Sequence, residues 1–126
     1  MKITGDQKGR LAEEEACLFL EKKGYKIFAK RYKTPCGEID LLVTKEETLI
    51  AVEVKYRKGG VEQAAESITP RQKRRIQKAL IYFLGGHPNF TTEYPFIRFD
   101  VVLLSTSTDP VHIQNAWQIE DEFYEV

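Results

Sequence analysis

The sequence predicts a single-domain α/β fold. Three observations carry that expectation. The chain has 126 residues, the size of one hydrophobic core and too short for two independent ones. Two segments repeat their apolar residues at helical spacing, and at least four others are rich in β-formers. No internal repeat, low-complexity tract or linker separates them, so all must share a core. The expected unit is one domain over 1–126, with its core at about 6–104 and a last strand with an acidic tail at 105–126.

Residues 6–23 carry Leu11, Ala12, Ala16, Phe19 and Leu20 at helical spacing, with Asp6 a candidate N-cap and Gly24 a stop. Tyr25 to Lys33 alternates Tyr25, Ile27 and Ala29 against Lys26, Phe28 and Lys30, and ends in the turn formers Thr34-Pro35-Cys36-Gly37. That reads as an edge-like strand. Glu38–Thr44 and Leu49–Arg57, separated by a short polar stretch, read as a β-hairpin. Thr69-Pro70-Arg71-Gln72 then supplies an N-cap, a proline at the first helical position and a glutamine placed for a capping box. The helix that follows has the apolar stripe Ile76, Ala79, Leu80, Phe83 and Leu84 and ends at Gly85-Gly86. Phe96–Leu104 and Val111–Ile119 complete the order α-β-β-β-α-β-β.

Composition narrows the function. No apolar run approaches the roughly 20 residues that cross a bilayer, and the N-terminus lacks the apolar stretch of a secretory signal. A cytoplasmic protein with no membrane partner is expected. Cys17 and Cys36 have neither metal-ligand nor redox spacing and should be free thiols. The formal charge is zero but is unevenly spread. Basic residues prevail over 1–34 and 55–78, acidic ones over 35–54 and 105–126. Such blocks allow local binding of a polyanion despite the neutral total. No serine or cysteine nucleophile pattern and no phosphate-binding glycine loop is present, which disfavours acyl transfer and nucleotide hydrolysis.

The hairpin holds the chemistry. With an even loop, Thr44 pairs with Leu49, which sets Asp40 opposite Glu53 and Glu38 opposite Lys55, facing Cβ atoms being roughly 5 Å apart. The period of two puts Glu38, Asp40 and Leu42 on one face of the first strand and Ile39, Leu41 and Val43 on the other. Two facing carboxylates among Leu41, Val52 and Val54 repel, and partial desolvation strengthens the repulsion. Lys55 offsets one charge; a divalent, oxygen-loving cation, Mg²⁺ or Mn²⁺, would offset the pair. The functional reading is a metal held by Asp40 and Glu53, with Lys55 orienting or deprotonating a water that attacks a phosphodiester. The bland reading is a structural charge network on a solvated sheet face.

Gly37-Glu38-Ile39-Asp40-Leu41-Leu42, followed by Val52-Glu53-Val54-Lys55-Tyr56-Arg57, resembles the bacterial YraN family, which itself resembles restriction-endonuclease-like proteins. The likeness covers roughly 9–102 and includes Glu13-Glu14-Glu15-Ala16, Gly24-Tyr25, Thr69, Gln72-Lys73 and Arg98-Phe99-Asp100-Val101-Val102. It implies a restriction-endonuclease-like αβββαβ core with a central mixed sheet. It also implies the PD-(D/E)xK nuclease constellation, with Asp40, Glu53 and Lys55 in the motif positions. Glu13 would be the helix acid and a third metal ligand, as in Holliday-junction resolvases of archaeal type. Glu14 and Glu15 are adjacent, and helical geometry alone does not separate the three. Ile39 stands where the motif's name carries proline, and Ala12 where the family usually shows glycine.

The expected function is therefore an endonuclease on DNA dependent on Mg²⁺ or Mn²⁺, recognising structure such as a branch or nick rather than sequence, with a homodimer as the candidate assembly. Arg57, Lys58, Arg71, Gln72, Lys73, Arg74 and Arg75 are candidates for contact with the nucleic-acid backbone. The rival is a catalytically silent nucleic-acid-binding or scaffold module that keeps the fold. Asp100, beside Arg98 in an apolar strand, reads as a paired structural acid, and His87 and His112 look isolated.

Overall fold

The computed structural model describes residues 5–57, 68–106 and 108–119. Along the chain run α1 (Gly5–Lys22), β1 (Lys26–Thr34), β2 (Gly37–Lys45), β3 (Thr48–Arg57), α2 (Pro70–Gly86), the one-turn α3 (Phe90–Glu93), β4 (Phe96–Ser105) and β5 (Val111–Trp117). Among the described residues the predicted order is the observed one, with α3 added. A four-residue helix has no periodicity to read; it exists because Phe90 packs edge-on against Phe83 and Phe28, with ring centroids 5.1 and 4.9 Å apart. No helix among the described residues is long and apolar enough to cross a membrane.

The five strands form one mixed sheet in the order β1-β2-β3-β4-β5. Neighbours are antiparallel except β3 and β4, which run parallel and are joined through α2. A parallel pair needs such a crossover, and a sheet covered on both faces reads as apolar runs without alternation. Residues 41–44 and 49–52 are accordingly all buried. On one face Ala12, Ala16, Cys17 and Leu20 of α1 pack on Leu41, Val43, Ile50, Val52, Val102 and Leu104. On the other, Ile76, Ala79, Leu80 and Phe83 of α2 pack on Ile39, Leu42, Leu49, Ala51 and Phe99. Leu84 is only partly buried, whereas Gln77, outside the apolar stripe, is fully buried.

The expected hairpin register is found from Lys45↔Thr48 to Leu41↔Val52. Strict alternation fails in two places. A register shift between Ile27 and Ala29 turns Ile27 toward the α1 side and Ala29 toward the α2 side. Further on, Arg31 takes a φ of 50°, a left-handed conformation that side chains rarely adopt. That inversion brings Tyr32 onto Phe83, with centroids 5.4 Å apart, and sends Arg31 to Glu13 of α1. Across from it, Ile39 joins Leu42 on the α2 side instead of Leu41 on the α1 side. Arg31 and Asp40 are the missing step between the pairs Lys30↔Leu41 and Tyr32↔Ile39.

The start of α2 is built as its sequence predicts. Thr69 Oγ1 accepts from Gln72 N at 3.1 Å, Gln72 Oε1 accepts from Thr69 N at 2.9 Å, and Pro70 opens the helix. This end lies hard against β2: a Cβ on Gly37 would stand 2.5 Å from the Arg75 carbonyl oxygen. The contact is backbone to backbone, so neither side can swing away, and only glycine fits.

Gly37→Ala should therefore lower the free energy of unfolding by about 1–3 kcal/mol, as overpacking does, measured by urea denaturation. Thr69→Ala, which loses only the cap, should cost about 1 kcal/mol.

Candidate active site

The break at Arg31 and Asp40 creates the site. Asp40 does not join the β2–β3 ladder; its Oδ2 accepts the Val54 N–H at 2.8 Å, taking the place of a strand carbonyl. The Asp40 side chain then lies within hydrogen-bonding reach of the Glu53 carboxyl. Two carboxylates so close cannot both ionise cheaply. Glu53 is pushed up to about 9, first by burial, then by its hydrogen bond to Asp40 and the Asp40 charge, with Lys55 opposing.

Glu38, Asp40 and Glu53 line a cleft of about 220 Å³ with Gln72, Arg75 and Ile76 of α2. Acids from the hairpin thus form one wall, and the first two turns of a basic helix form the other. Glu38 is a lining residue that the candidate set omitted; its place on the Asp40 face was the available signal. Val54 packs toward the α1 side, so Glu53 and Lys55 project toward the α2 side, where the cleft lies. Lys55 is half-buried and makes no hydrogen bond or ion pair among the described residues.

Of the three consecutive acids in α1, Glu13 is turned inward while Glu14 and Glu15 are exposed. It lies on the opposite side of the sheet and is held by Arg31, whose Nε donates to Glu13 Oε2 at 2.7 Å. Burial raises the Glu13 pKa, Arg31 opposes this, and the nearby negative charges of Asp40 and Glu38 add to the rise. Glu13 feels the site electrostatically without lining the cleft. Among the described residues no group of three His, Cys, Asp or Glu side chains converges as a metal cage would.

Of the residues expected to contact nucleic acid, Arg75 and Gln72 line the cleft, and Gln72 does so while capping α2. Arg71 and Arg74 are exposed on the same helix. Lys73 is placed differently, with its Nζ 5.9 Å from the Trp117 ring centroid. Lys58 and the Arg57 side chain lie outside the described residues. Asp100 is the paired structural acid the sequence suggests, bound by both Arg98 and His112. His112 is therefore not isolated, and its partner was hidden because the two strands are joined by a loop whose pairing register the sequence does not reveal. His87 stacks on Phe83 at 4.2 Å and its Nδ1 lies 2.9 Å from the Phe83 carbonyl.

A carboxyl that holds its proton to about 9 when folded and to 4.5 when unfolded binds more protons in the native state between those values. Stability contributed by Glu53 is then present below about pH 4.5 and is lost as pH rises toward about 9. In metal-free buffer, Glu53→Gln should raise the melting temperature at alkaline pH and flatten its decline between pH 5 and 9, read by calorimetric melts. An unchanged pH profile would remove the shared proton from the account.

Residues 12–104 match the profile of the uncharacterised protein family UPF0102. A UPF0102 protein of Parvibaculum lavamentivorans is 46% identical over 110 residues, covering 87% of this chain and 80% of its own. One from Rhodopseudomonas palustris is 40% identical over 116 residues, covering 92% of this chain and 87% of its own. Among solved structures, Hjc of Archaeoglobus fulgidus, a Holliday junction resolvase, superposes with a TM-score of 0.50 over 93% of this chain and 87% of that one, at 19% identity. At that identity the likeness is one of fold, and the mixed five-stranded sheet flanked by helices is the restriction-endonuclease-like architecture expected from the motifs. By profile and by relatives alike, the chain belongs to the uncharacterised protein family UPF0102, the YraN family.

Proposed function

We propose that this protein is a metal-dependent endonuclease that hydrolyses DNA phosphodiesters, selecting branched or nicked structure rather than sequence. One observation carries the reading: Asp40 and Glu53 share a cleft wall at hydrogen-bonding distance, beneath the basic start of α2. The proton retained on Glu53 occupies the position of a positive charge that the pair needs. A divalent cation satisfies the same need, and Mg²⁺ or Mn²⁺ requires only one or two carboxylates, its remaining ligands being waters and phosphate oxygens. The donor set therefore fits. Asp40 and Glu53 would hold the ion directly, while Glu13, held by Arg31 on the α1 side, would act on it through its charge. When bound, such an ion polarises a phosphoryl oxygen and lowers the pKa of its water.

The chain's own residues do the rest. Val54 N–H fixes the Asp40 carboxylate, so its direction does not depend on rotamer choice. Lys55, unpaired among the described residues, orients the attacking water and takes or returns its proton. Arg75 and Gln72 face the acids across the cleft and receive the phosphate, while Arg71 and Arg74 extend backbone attraction along α2. One such cleft cuts one strand, so a symmetric branched substrate calls for a two-fold homodimer. A DNA substrate and two free thiols suit the cytoplasm. The silent binding module is favoured by one observation: although Glu38 shares the cleft, no group of three His, Cys, Asp or Glu side chains among the described residues is placed to hold a metal ion.

Lys55→Ala separates the two readings. On nicked, flapped and four-way DNA with Mg²⁺ or Mn²⁺, cleavage should fall by about 10²-fold or more, with binding retained within a few-fold. Wild-type cleavage undiminished in this variant would overturn the proposed role of Lys55, and no cleavage of any substrate by the wild type would leave the binding module. Calorimetric titration of Mg²⁺ and Mn²⁺ should show binding to the wild type and none to the Asp40→Asn, Glu53→Gln double variant. Replacing Arg71, Arg74 and Arg75 with alanine should reduce the salt dependence of DNA affinity by up to about 0.9 per lost phosphate contact.

A further inference from the structure

A second polar cluster lies away from the cleft, where the end of α1 meets β2, β4 and β5. Asp100 is fully buried and accepts four hydrogen bonds: from Arg98 Nε at 2.8 Å, Arg98 Nη2 at 2.9 Å, Asn115 N at 2.9 Å and His112 Nε2 at 2.7 Å. Burial alone would raise its pKa, but the bonds from His112, Arg98 and Asn115 outweigh it and keep Asp100 ionised. An ionised carboxylate only accepts, so the His112 proton resides on Nε2 and the Nδ1 lone pair points the other way. It points at Lys23, whose Nζ is 2.6 Å away.

The imidazole is itself fixed. Its side chain is 3% exposed, and the rings of Phe19 and Tyr25 stand edge-on to it at 6.2 and 5.4 Å. Lys23 is the exposed end of the chain of bonds. Burial first, and then the Lys45 ammonium, hold its amine below the ordinary lysine range, with Arg98 acting in the same direction and Asp100 opposing. Lys45 donates to the Lys23 carbonyl at 3.1 Å and lies 4.6 Å from the Tyr25 ring, so a second cation sits beside the amine. Arg98 also binds the Tyr25 hydroxyl, at 2.8 Å.

We propose that Lys23 is a nucleophilic lysine, a site of N-acylation by small acyl phosphates in which His112 accepts the proton and Asp100 supports the resulting imidazolium. Lys23, as the free amine, attacks the acyl carbon; the N–C bond forms, the C–O bond to phosphate breaks, and phosphate leaves with that electron pair. One Nζ proton passes to His112 Nδ1, which later releases it to water, and the amide keeps the other. The neighbouring Lys45 charge attracts the phosphate, which is why an acyl phosphate is the donor class. This site is independent of the nuclease reading and shares no residue with the cleft.

The test treats the full chain with acetyl phosphate and follows acetylation of each lysine by peptide mass spectrometry at about pH 7.5. Lys23 should react about tenfold or more faster than exposed Lys26, a modest share of what a general base in contact with the amine supplies. The advantage should vanish in urea, and His112→Gln, its fold checked by circular dichroism, should bring Lys23 down to the Lys26 rate. Should that variant not fold, the comparison of Lys23 with Lys26 in folded and unfolded wild type decides. Equal rates in the folded protein, or an advantage that persists in urea, would overturn the proposal.

Discussion

A sheet covered by helices on both faces has no room for charge in its middle strands, yet this one holds two carboxylates side by side. What permits it is one hydrogen bond, from the Val54 amide to Asp40. A strand amide left without a ladder partner would be costly, and a carboxylate left without a donor equally so; each answers the other. Ladder pairing between β2 and β3 stops where this bond begins, and the opening is the cleft. The break in β1 at Arg31 is part of the same arrangement, since the residue that leaves the register there is the partner of Asp40. Gly37 then brings the backbone of α2 close enough for Arg75 and Gln72 to form the opposite wall.

Asp100, fully buried, and Glu53, half-buried, lie in neighbouring strands and show how surroundings decide charge. Asp100 is more deeply buried than Glu53, but a guanidinium, an imidazole and a backbone amide surround it, and it stays ionised. Glu53 has an acid for its nearest polar partner and keeps its proton. One acid has its compensation built in and serves as a fixed anchor between β4 and β5. The other has it missing, which marks a place for an incoming cation.

Much of this was legible in the sequence. The hairpin register followed from loop parity alone, because a turn of even length fixes which residues face each other whatever its conformation. The capping box at Thr69 and Gln72 was legible because it is a local contract between residues three apart. The motif glycine, by contrast, could be seen but not explained until the Arg75 carbonyl appeared beside it. Alternation failed at Phe28 and at Arg31, since neither residue type announces a bulge or a positive φ. Gln77 lies beside the apolar stripe of α2 and is nonetheless buried, so the face the helix packs on the sheet is wider than its apolar residues suggest. His112 and Asp100 lie on strands joined by a loop, and a strand pair with an irregular register hides which side chains meet.

The parallel pairing of β3 with β4 has a consequence for how the protein forms. Thr48 meets Phe96 and Arg57 meets Ser105 only after the whole of α2 has been laid across the sheet, so these contacts must await closure of a long loop. The β2–β3 hairpin, which contains both acids, closes through a two-residue turn and belongs to the fast, local class of folding events. Asp40 and Glu53 therefore come together early, on a ribbon still open to water. Only when β4 docks and α2 settles on Gly37 is Glu53 shielded from solvent and its acidity altered, so contacts that close late in folding are the ones that tune the site.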